Sequence, residues 1–179
     1  SKKLGVPNTC NHCHADKSPV WAAGHIAKWY GQPKSLKHYG EIFHAANRWI
    51  PGTDADLSRL AEDNQQSPMV RATAVLLLRN YPCESTIPTL RKMLQDANSL
   101  IRSEAVIALD FLPPNDRVPF LLPVLQDPVR LVRTLAARSL SPIPSGILSK
   151  EAGQQRDATI REYEESQMLN ADYPAAHMN

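Results

Sequence analysis

Cys10, Cys13 and His14 form a C-x-x-C-H sequence near the start of the chain. Two cysteines three positions apart on one helical turn can both reach one edge of a porphyrin and form thioethers with it, while the following histidine is directed at the iron. The spacing therefore predicts covalent attachment of a c-type haem. In this interpretation Cys10 and Cys13 form the thioethers and His14 is the proximal iron ligand.

Two other chemistries fit the same pair of cysteines. Thiolates and imidazoles are ligands that zinc prefers, so the pair could form a zinc site with one or two histidines. The histidines considered for that site are His12, His14, His25 and His38. A thioredoxin-type dithiol is less well supported, because no alternation of strands and helices surrounds the cysteines.

Histidine and tryptophan are concentrated at the start of the 179-residue chain. Five of the six histidines and all three tryptophans lie within its first 49 residues. These residues are His12, His14, His25, His38, His44, Trp21, Trp29 and Trp49. We therefore expect a chemically specialised N-terminal segment, in which the tryptophans are predicted to be core residues and not a cage around a ligand.

Residues 18–50 are predicted to form a helical hairpin. Ser18 followed by Pro19 is typical of a helix start, and Gly31 is typical of a helix end. A second helix is expected over residues 35–50. The residues expected on the buried faces are Ala22, Ile26 and Trp29 in the first helix and Leu36, Tyr39, Phe43 and Ala46 in the second.

From residue 51 onward, one segment recurs three times at an offset of 31 residues. The copies begin at Val70, Ile101 and Val132, and each has arginine second, alanine fifth and leucine ninth. The first, fifth and ninth positions are about one helical turn apart, so they are predicted to face a common core. A partner helix is expected before each copy, over residues 54–64, 85–95 and 116–126, with Pro123 kinking or ending the last.

A 31-residue helix pair with an Asp-containing turn and Val-Arg opening its second helix resembles the HEAT repeat. The resemblance covers residues 51–142 and implies an all-α fold, a HEAT-like or armadillo-type α-solenoid built as a right-handed superhelix of helix pairs. Stacked repeats of this kind hold protein partners. We interpret Arg71, Arg102 and Arg133 as a structural ladder bonded to neighbouring Asp or carbonyl groups, in preference to an anion-binding row.

The C-terminal part is predicted to change character after the repeats. Residues 143–153, rich in Pro, Ser and Gly, are predicted to be a linker, and a helix is expected from about residue 154 to 169. Residues 163–179, with Asn170, Asp172 and Pro174 in an Asn-x-Asp-x-Pro turn, resemble the join between two tetratricopeptide units. The domain boundaries predicted are 1–17 for haem attachment, 18–50, 51–142, 143–153 and 154–179.

Composition and missing motifs exclude several function classes. Lys and Arg number 20 and Asp and Glu 18, a net charge of +2 that does not indicate nucleic-acid binding. No apolar run approaches the ~18 residues needed to span a bilayer, so no membrane insertion is expected. We find no glycine-rich phosphate loop, Gly-x-Ser-x-Gly or His-Glu-x-x-His sequence, so the chain is predicted not to be an enzyme.

The N-terminal segment looks like the last haem-binding motif of bacterial multihaem c-type cytochromes that continue into HEAT-like and tetratricopeptide repeats. The resemblance is carried by residues 3–18, Trp21-Ala22-Ala23 and Lys28-Trp29-Tyr30-Gly31. The resemblance implies haem c at Cys10 and Cys13, electron transfer, and docking of redox partner proteins or other subunits on the repeats. It also implies a periplasmic or otherwise exported protein whose signal peptide and further haems lie upstream. The resemblance also implies bis-histidine ligation. Of the candidates for the distal ligand, His38 is preferred to His44 and His25, because it lies in the first turn of the returning helix.

Overall fold

The computed structural model describes residues 3–31, 38–144, 146–169 and 172. Within these ranges all regular structure is helical and no strand occurs, which confirms the all-α prediction. The chain divides into two compact units, residues 1–50 and 51–179. None of the described helices is both long and apolar enough to cross a lipid bilayer.

Over residues 3–31 and 38–50, the N-terminal unit forms three helices, α1 (Cys10–Cys13), α2 (Pro19–Tyr30) and α3 (Tyr39–Ala46). The ends of α2 are those predicted from sequence. The Ser18 hydroxyl accepts a hydrogen bond from the Trp21 N–H at 3.2 Å, and Gly31 follows the last turn with a positive φ of 81°. Positive φ is a conformation that glycine adopts without steric cost, so the helix stops there.

α3 is shorter than the helix predicted over residues 35–50. It begins after His38, whose imidazole Nδ1 accepts a hydrogen bond from the Gly40 N–H at 3.1 Å and so caps the helix. It ends at Ala46, and Trp49 then takes a left-handed φ of 56° that a continuing helix does not allow. Residues 32–37, which join α2 to α3, lie outside the described residues.

The predicted core of the N-terminal unit is largely wrong. Ala22 and Ala46 are buried as expected, but Trp29 and Trp49 are 64% and 62% exposed, and Ile26 is 44% exposed. Phe43 is half-buried, Tyr39 is exposed, and Leu36 lies outside the described residues. The described helices of this unit are too short to cover both faces of α2, and Ile42 of α3, which the prediction did not include, is buried with Ala22 and Ala46.

The second unit is built from helix pairs. Its helices are α4 (Thr53–Glu62), α5 (Pro68–Leu78), α6 (Ile87–Met93), α7 (Ser99–Ala108), α8 (Pro114–Leu121), α9 (Arg130–Leu140) and α10 (Lys150–Met168), with short 3-10 helices at Glu84–Thr86, Leu109–Phe111 and Pro123–Gln126. The second helices α5, α7 and α9 carry the repeated segment and pack in a row, and α4, α6 and α8 each pack against the helix that follows. As predicted, Pro123 ends the α-helical hydrogen bonding of its helix, which continues as a 3-10 turn.

The core of the second unit follows the 31-residue period. Ala74, Ala105 and Ala136, one from each second helix, are completely inaccessible to solvent. The leucines one turn further along, Leu78, Leu109 and Leu140, are also buried, as are Ile101 and Val132, whereas Val70 is only half-buried. A methyl side chain at the centre of each helix lets neighbouring backbones approach closely, so the helices stack in a regular row.

The repeated arginines form the predicted ladder. The Arg71 guanidinium bonds the Asp96 carboxylate at 2.5 Å, and Arg102 bonds Asp127 with two hydrogen bonds of 2.7 and 2.9 Å. Arg133 makes the same two-pronged contact with Glu162 of α10. Each arginine therefore reaches a carboxylate of the next helix pair, or of the helix that follows the last pair, and ties successive layers together.

Each aspartate of the ladder also shapes its own turn. Asp96 and Asp127 accept hydrogen bonds at 2.8 Å from backbone N–H groups two residues later, those of Asn98 and Val129. Burial alone would raise the pKa of Asp127, but the hydrogen bonds from Arg102 and Val129 and the nearby positive charges outweigh it, so its pKa is lowered. The Asp127 carboxylate is thus held in the ionised form that pairs with Arg102.

Glu104 of α7 is the only charged residue at its repeat position, which holds Thr73 in α5 and Leu135 in α9. Its Oε2 atom is inaccessible to solvent, and no hydrogen bond to it is found in the part of the chain that the structure describes. Burial raises the pKa of Glu104, and the positive charge of Arg79 lowers it by a smaller amount. An ionised carboxylate in this position costs stability at neutral pH.

The predicted linker over residues 143–153 is shorter and better packed than expected. α10 begins at Lys150, not at residue 154, because the Ser149 hydroxyl caps it by accepting from the Ala152 N–H at 3.2 Å. Ile143 and Leu148 are buried, and the buried Arg156 guanidinium donates to the Ile143 carbonyl. The turn interpreted as tetratricopeptide-like falls mostly on residues 170–171 and 173–179, which lie outside the described residues.

Replacing Arg102 by alanine should lower the free energy of unfolding by about 3 kcal/mol, because it leaves Asp127 ionised, buried and unpaired. The Arg102 and Asp127 side chains are only 12% and 8% exposed. The matched control is Lys92→Ala, which breaks an ion pair with Glu62 whose side chains are 62% and 35% exposed and should cost less than about 1 kcal/mol. Urea unfolding followed by circular dichroism measures both.

The Arg102→Ala cost should also depend on pH in one direction. Because the folded-state pKa of Asp127 is lowered, the stabilisation is present above its ordinary pKa and is lost as the pH falls through the folded-state value. Equal losses for Arg102→Ala and Lys92→Ala at neutral pH would contradict the structural role of the ladder.

Replacing Glu104 by glutamine should raise the free energy of unfolding at pH 8 by about 1 kcal/mol, because it removes a buried charge with an unbonded oxygen. Because the folded-state pKa of Glu104 is raised, the free energy of unfolding of the wild type falls as the pH rises above the ordinary pKa of glutamate. The gain from Glu104→Gln should therefore be smallest below about pH 4 and larger at pH 8. Urea unfolding at both pH values measures the difference, with Glu165→Gln on the exposed side of α10 as the control. A gain of the same size at both pH values would show that the charge is not its cause.

Candidate functional site

The two cysteines of the C-x-x-C-H sequence bracket a single helical turn, α1. The His14 N–H donates to the Cys10 carbonyl at 3.0 Å and closes the turn. Cys10 is half-buried, Cys13 is exposed, and both are free thiols. The turn therefore presents two reduced sulfur atoms followed directly by an imidazole, the order on which the haem prediction depends.

Asn11, inside the motif, holds this turn to the chain around it. Its side-chain amide donates to the His14 carbonyl at 3.2 Å and to the Lys17 carbonyl at 2.6 Å. Its backbone N–H and side-chain oxygen bond the side chain of Asn8. Residues between the motif cysteines carry no signal in the C-x-x-C-H pattern, so this positioning role could not be predicted from it.

A row of aromatic and imidazole rings continues from His14 along α2. The ring centroids are 4.9 Å apart between His14 and Trp21, 4.6 Å between Trp21 and His25, and 5.5 Å between His25 and Trp29. Trp21, His25 and Trp29 are spaced by four residues and so lie on one face of the helix. That spacing is visible in the sequence, but the tryptophans were predicted to be core residues, so the row itself was not predicted.

The ring row and the cysteine turn together line a mainly apolar cavity of about 260 Å³. Its lining residues are Thr9, Cys10, Cys13, His14, Trp21, Ala22, His25 and Trp29. The volume is slightly below the ~300 Å³ at which sites that enclose a small molecule begin. The cavity is therefore suited to one edge of a flat apolar group and not to enclosing a whole ligand.

The structure separates the histidines that sequence reasoning grouped as possible second iron ligands. His25 lines the cavity, whereas His38 and His44 are not among its lining residues. The cap bond from Gly40 to Nδ1 of His38 assigns the proton of a neutral imidazole to Nε2. Iron binding through Nε2 would move that proton to Nδ1 and break the cap, so His38, which stays a predicted ligand, is also the residue that caps α3.

The zinc alternative finds little support in the geometry. Among the described residues, no group of three or more histidine, cysteine or acidic side chains is arranged to hold a metal ion. Structural zinc sites use four such ligands in a tetrahedron. The free thiols and the apolar cavity are compatible with the edge of a porphyrin.

Comparison with known families matches residues 56–141 to HEAT repeats. No curated protein and no solved structure matches the chain. The matched range runs from within α4 to the end of α9 and coincides with the three stacked helix pairs and their arginine ladder. This part of the chain is therefore a HEAT-like α-solenoid.

Proposed function

We propose that the chain is the scaffold and partner-docking part of an exported multihaem cytochrome c, in which Cys10 and Cys13 attach one haem and His14 is its proximal ligand. HEAT repeats suggest a scaffold for protein–protein interaction. The observation that carries the haem assignment is the juxtaposition of two free thiols and His14 on one turn beside a cavity lined by tryptophan and histidine rings.

The residues of the N-terminal unit would each have a defined part in holding the haem. Each cysteine S–H would add across one vinyl group, with sulfur bonding the carbon next to the ring and hydrogen going to the other carbon, so no oxidant is needed. Asn11 would keep the cysteine turn closed. Trp21 and Trp29 would pack against the edge of the porphyrin that enters the cavity. When bound, the haem supplies one-electron transfer.

Covalent haem is expected when the chain is co-expressed with a cytochrome c maturation system. A pyridine haemochrome spectrum of the denatured protein should show about one haem per chain, as expected for a single C-x-x-C-H motif. Replacing Cys10 and Cys13 together by serine should abolish it, whereas Cys83→Ser, at the third cysteine, should not. An absence of covalent haem in the wild type would favour the rival, an interaction solenoid whose Cys and His cluster binds zinc or no metal, and metal analysis would then separate these two outcomes.

Within this proposal His25 is a better candidate for the second axial ligand than His38 or His44, since it lines the cavity and its ring is not used to cap a helix. In haem-loaded protein, His25→Ala should convert a low-spin bis-histidine spectrum to high spin, and His38→Ala should leave it low-spin. If His38→Ala alone changes the spin state, the ligand preferred from the sequence is correct. If no histidine variant changes it, the cavity does not provide the second ligand.

A further inference from the structure

The second helices present one face outward in the same register in all three repeats. On each helix, three residues spaced by four and then three positions are incompletely buried, and their neighbours on either side are mostly buried. We call these nine residues the outer face: Met69, Thr73 and Leu76 of α5; Leu100, Glu104 and Ile107 of α7; and Leu131, Leu135 and Arg138 of α9. Spacing by four and three positions places each trio on one side of its helix.

The outer face is apolar to an unusual degree for residues in contact with solvent. Six of its nine residues are aliphatic or methionine. Met69, Leu100 and Leu131, which begin the three trios, are 65%, 36% and 57% exposed. The first helices, in contrast, expose charged residues such as Arg59, Arg91 and Lys92. Exposed apolar residues that recur in the same register on all three second helices indicate a surface that a partner covers.

A single carboxylate lies at the centre of the outer face. Glu104 is the middle residue of α7, and α7 packs between α5 and α9. Its Oε2 atom is closed off from solvent and has no hydrogen-bond partner among the described residues, so a cation of a partner would pair with the other carboxylate oxygen, Oε1. In the part of the chain that the structure describes, the positive charge that acts on Glu104 is that of Arg79, at the end of α5. A partner that covers this surface must bring a cation to this point, because otherwise it would bury an unpaired charge.

The spacing of the outer face matches a particular partner shape. Packed helices lie about 8–10 Å apart, so Met69, Leu100 and Leu131 recur at about that interval across the row. An α-helix rises about 1.5 Å per residue, so side chains seven positions apart are separated by about 10 Å along its axis. An amphipathic helix lying across α5, α7 and α9 can therefore contact all three repeats with apolar residues from one face.

A second feature extends the outer face at its Arg138 end. A cavity of about 570 Å³ lies between α9 and α10, and Arg138, Ser141, Ile160, Tyr163 and Met168 are among its lining residues. This volume falls in the range of sites that receive a whole side chain or small ligand. It gives the end of a docked helix a place to anchor an apolar residue.

We propose that the outer face docks an amphipathic α-helix of a partner protein, with apolar residues about seven positions apart over the three second helices and a lysine or arginine paired with Glu104. The proposal rests on the docking role assigned to the repeats above. It does not depend on haem attachment. The rest of the outer face supplies apolar contact, and Glu104 sets the charge that the partner must carry.

The probe is a fluorescently labelled helical peptide of about 18 residues, with leucines seven positions apart and one lysine between them. A matched peptide has glutamate in place of that lysine. Fluorescence anisotropy with the full chain should show the lysine peptide binding about tenfold more tightly or better, because only it pairs with Glu104. Leu131→Asp should weaken binding about tenfold or more. The control Ile147→Asp, at an apolar residue 54% exposed outside the outer face, should not.

Charge-reversal variants separate specific pairing from apolar adhesion. Glu104→Gln should abolish the preference between the peptides, and Glu104→Lys should reverse it, with far-UV circular dichroism confirming that each variant is folded. Three outcomes would each overturn the proposal. They are equal binding of the two peptides to the wild type, equal losses of binding in Leu131→Asp and Ile147→Asp, and no binding of the lysine peptide below about 1 mM. A chain that attaches haem but fails these tests retains the haem assignment, and a chain that passes them without haem retains the docking surface.

Discussion

The stacking of the repeats depends on one interaction, the ion pair between an arginine of each second helix and a carboxylate of the segment that follows it in the row. Arg102 shows the full pattern, because it bonds the Asp127 side chain ahead of it and the Asp96 and Ala97 carbonyls behind it. The same Asp127 shapes the turn before α9 by accepting from the Val129 N–H. The contact between repeats and the conformation of the turn between them therefore share one carboxylate, so a change in the length of that turn would disturb both.

This shared use explains why the repeats could be predicted from the sequence. The ladder aspartates Asp96 and Asp127 and the buried alanines Ala74, Ala105 and Ala136 recur at one offset, and a fixed offset is visible without any coordinates. The end of the series could not be predicted in the same way. There the acceptor is Glu162, which lies 29 residues after Arg133 where the two earlier pairs are 25 apart, on a helix of different sequence.

The N-terminal unit was less predictable, because few of its residues are constrained by packing. The cysteine motif and both ends of α2 were correctly placed, since each depends on local chemistry: thiol spacing, a hydroxyl cap and a glycine with positive φ. The exposure of Trp29 and Trp49 was not foreseen, because residue type alone does not distinguish a core aromatic from one on a ligand-facing surface. The start of α3 was also missed, because histidine is not among the usual helix caps, whereas His38 serves as one here.

Glu104 shows where stability and surface specificity diverge in this solenoid. Leu135 occupies the corresponding position of the third repeat, so the fold accepts an aliphatic side chain there and does not require a carboxylate. The ladder does not use Glu104 either, since its arginines bond Asp96, Asp127 and Glu162. A charge that no element of the fold needs, placed among apolar side chains at a cost in stability, is characteristic of a binding surface. Its physical effect is selective: an apolar helix with a cation gains a partner there, and one without a cation must bury an unpaired charge.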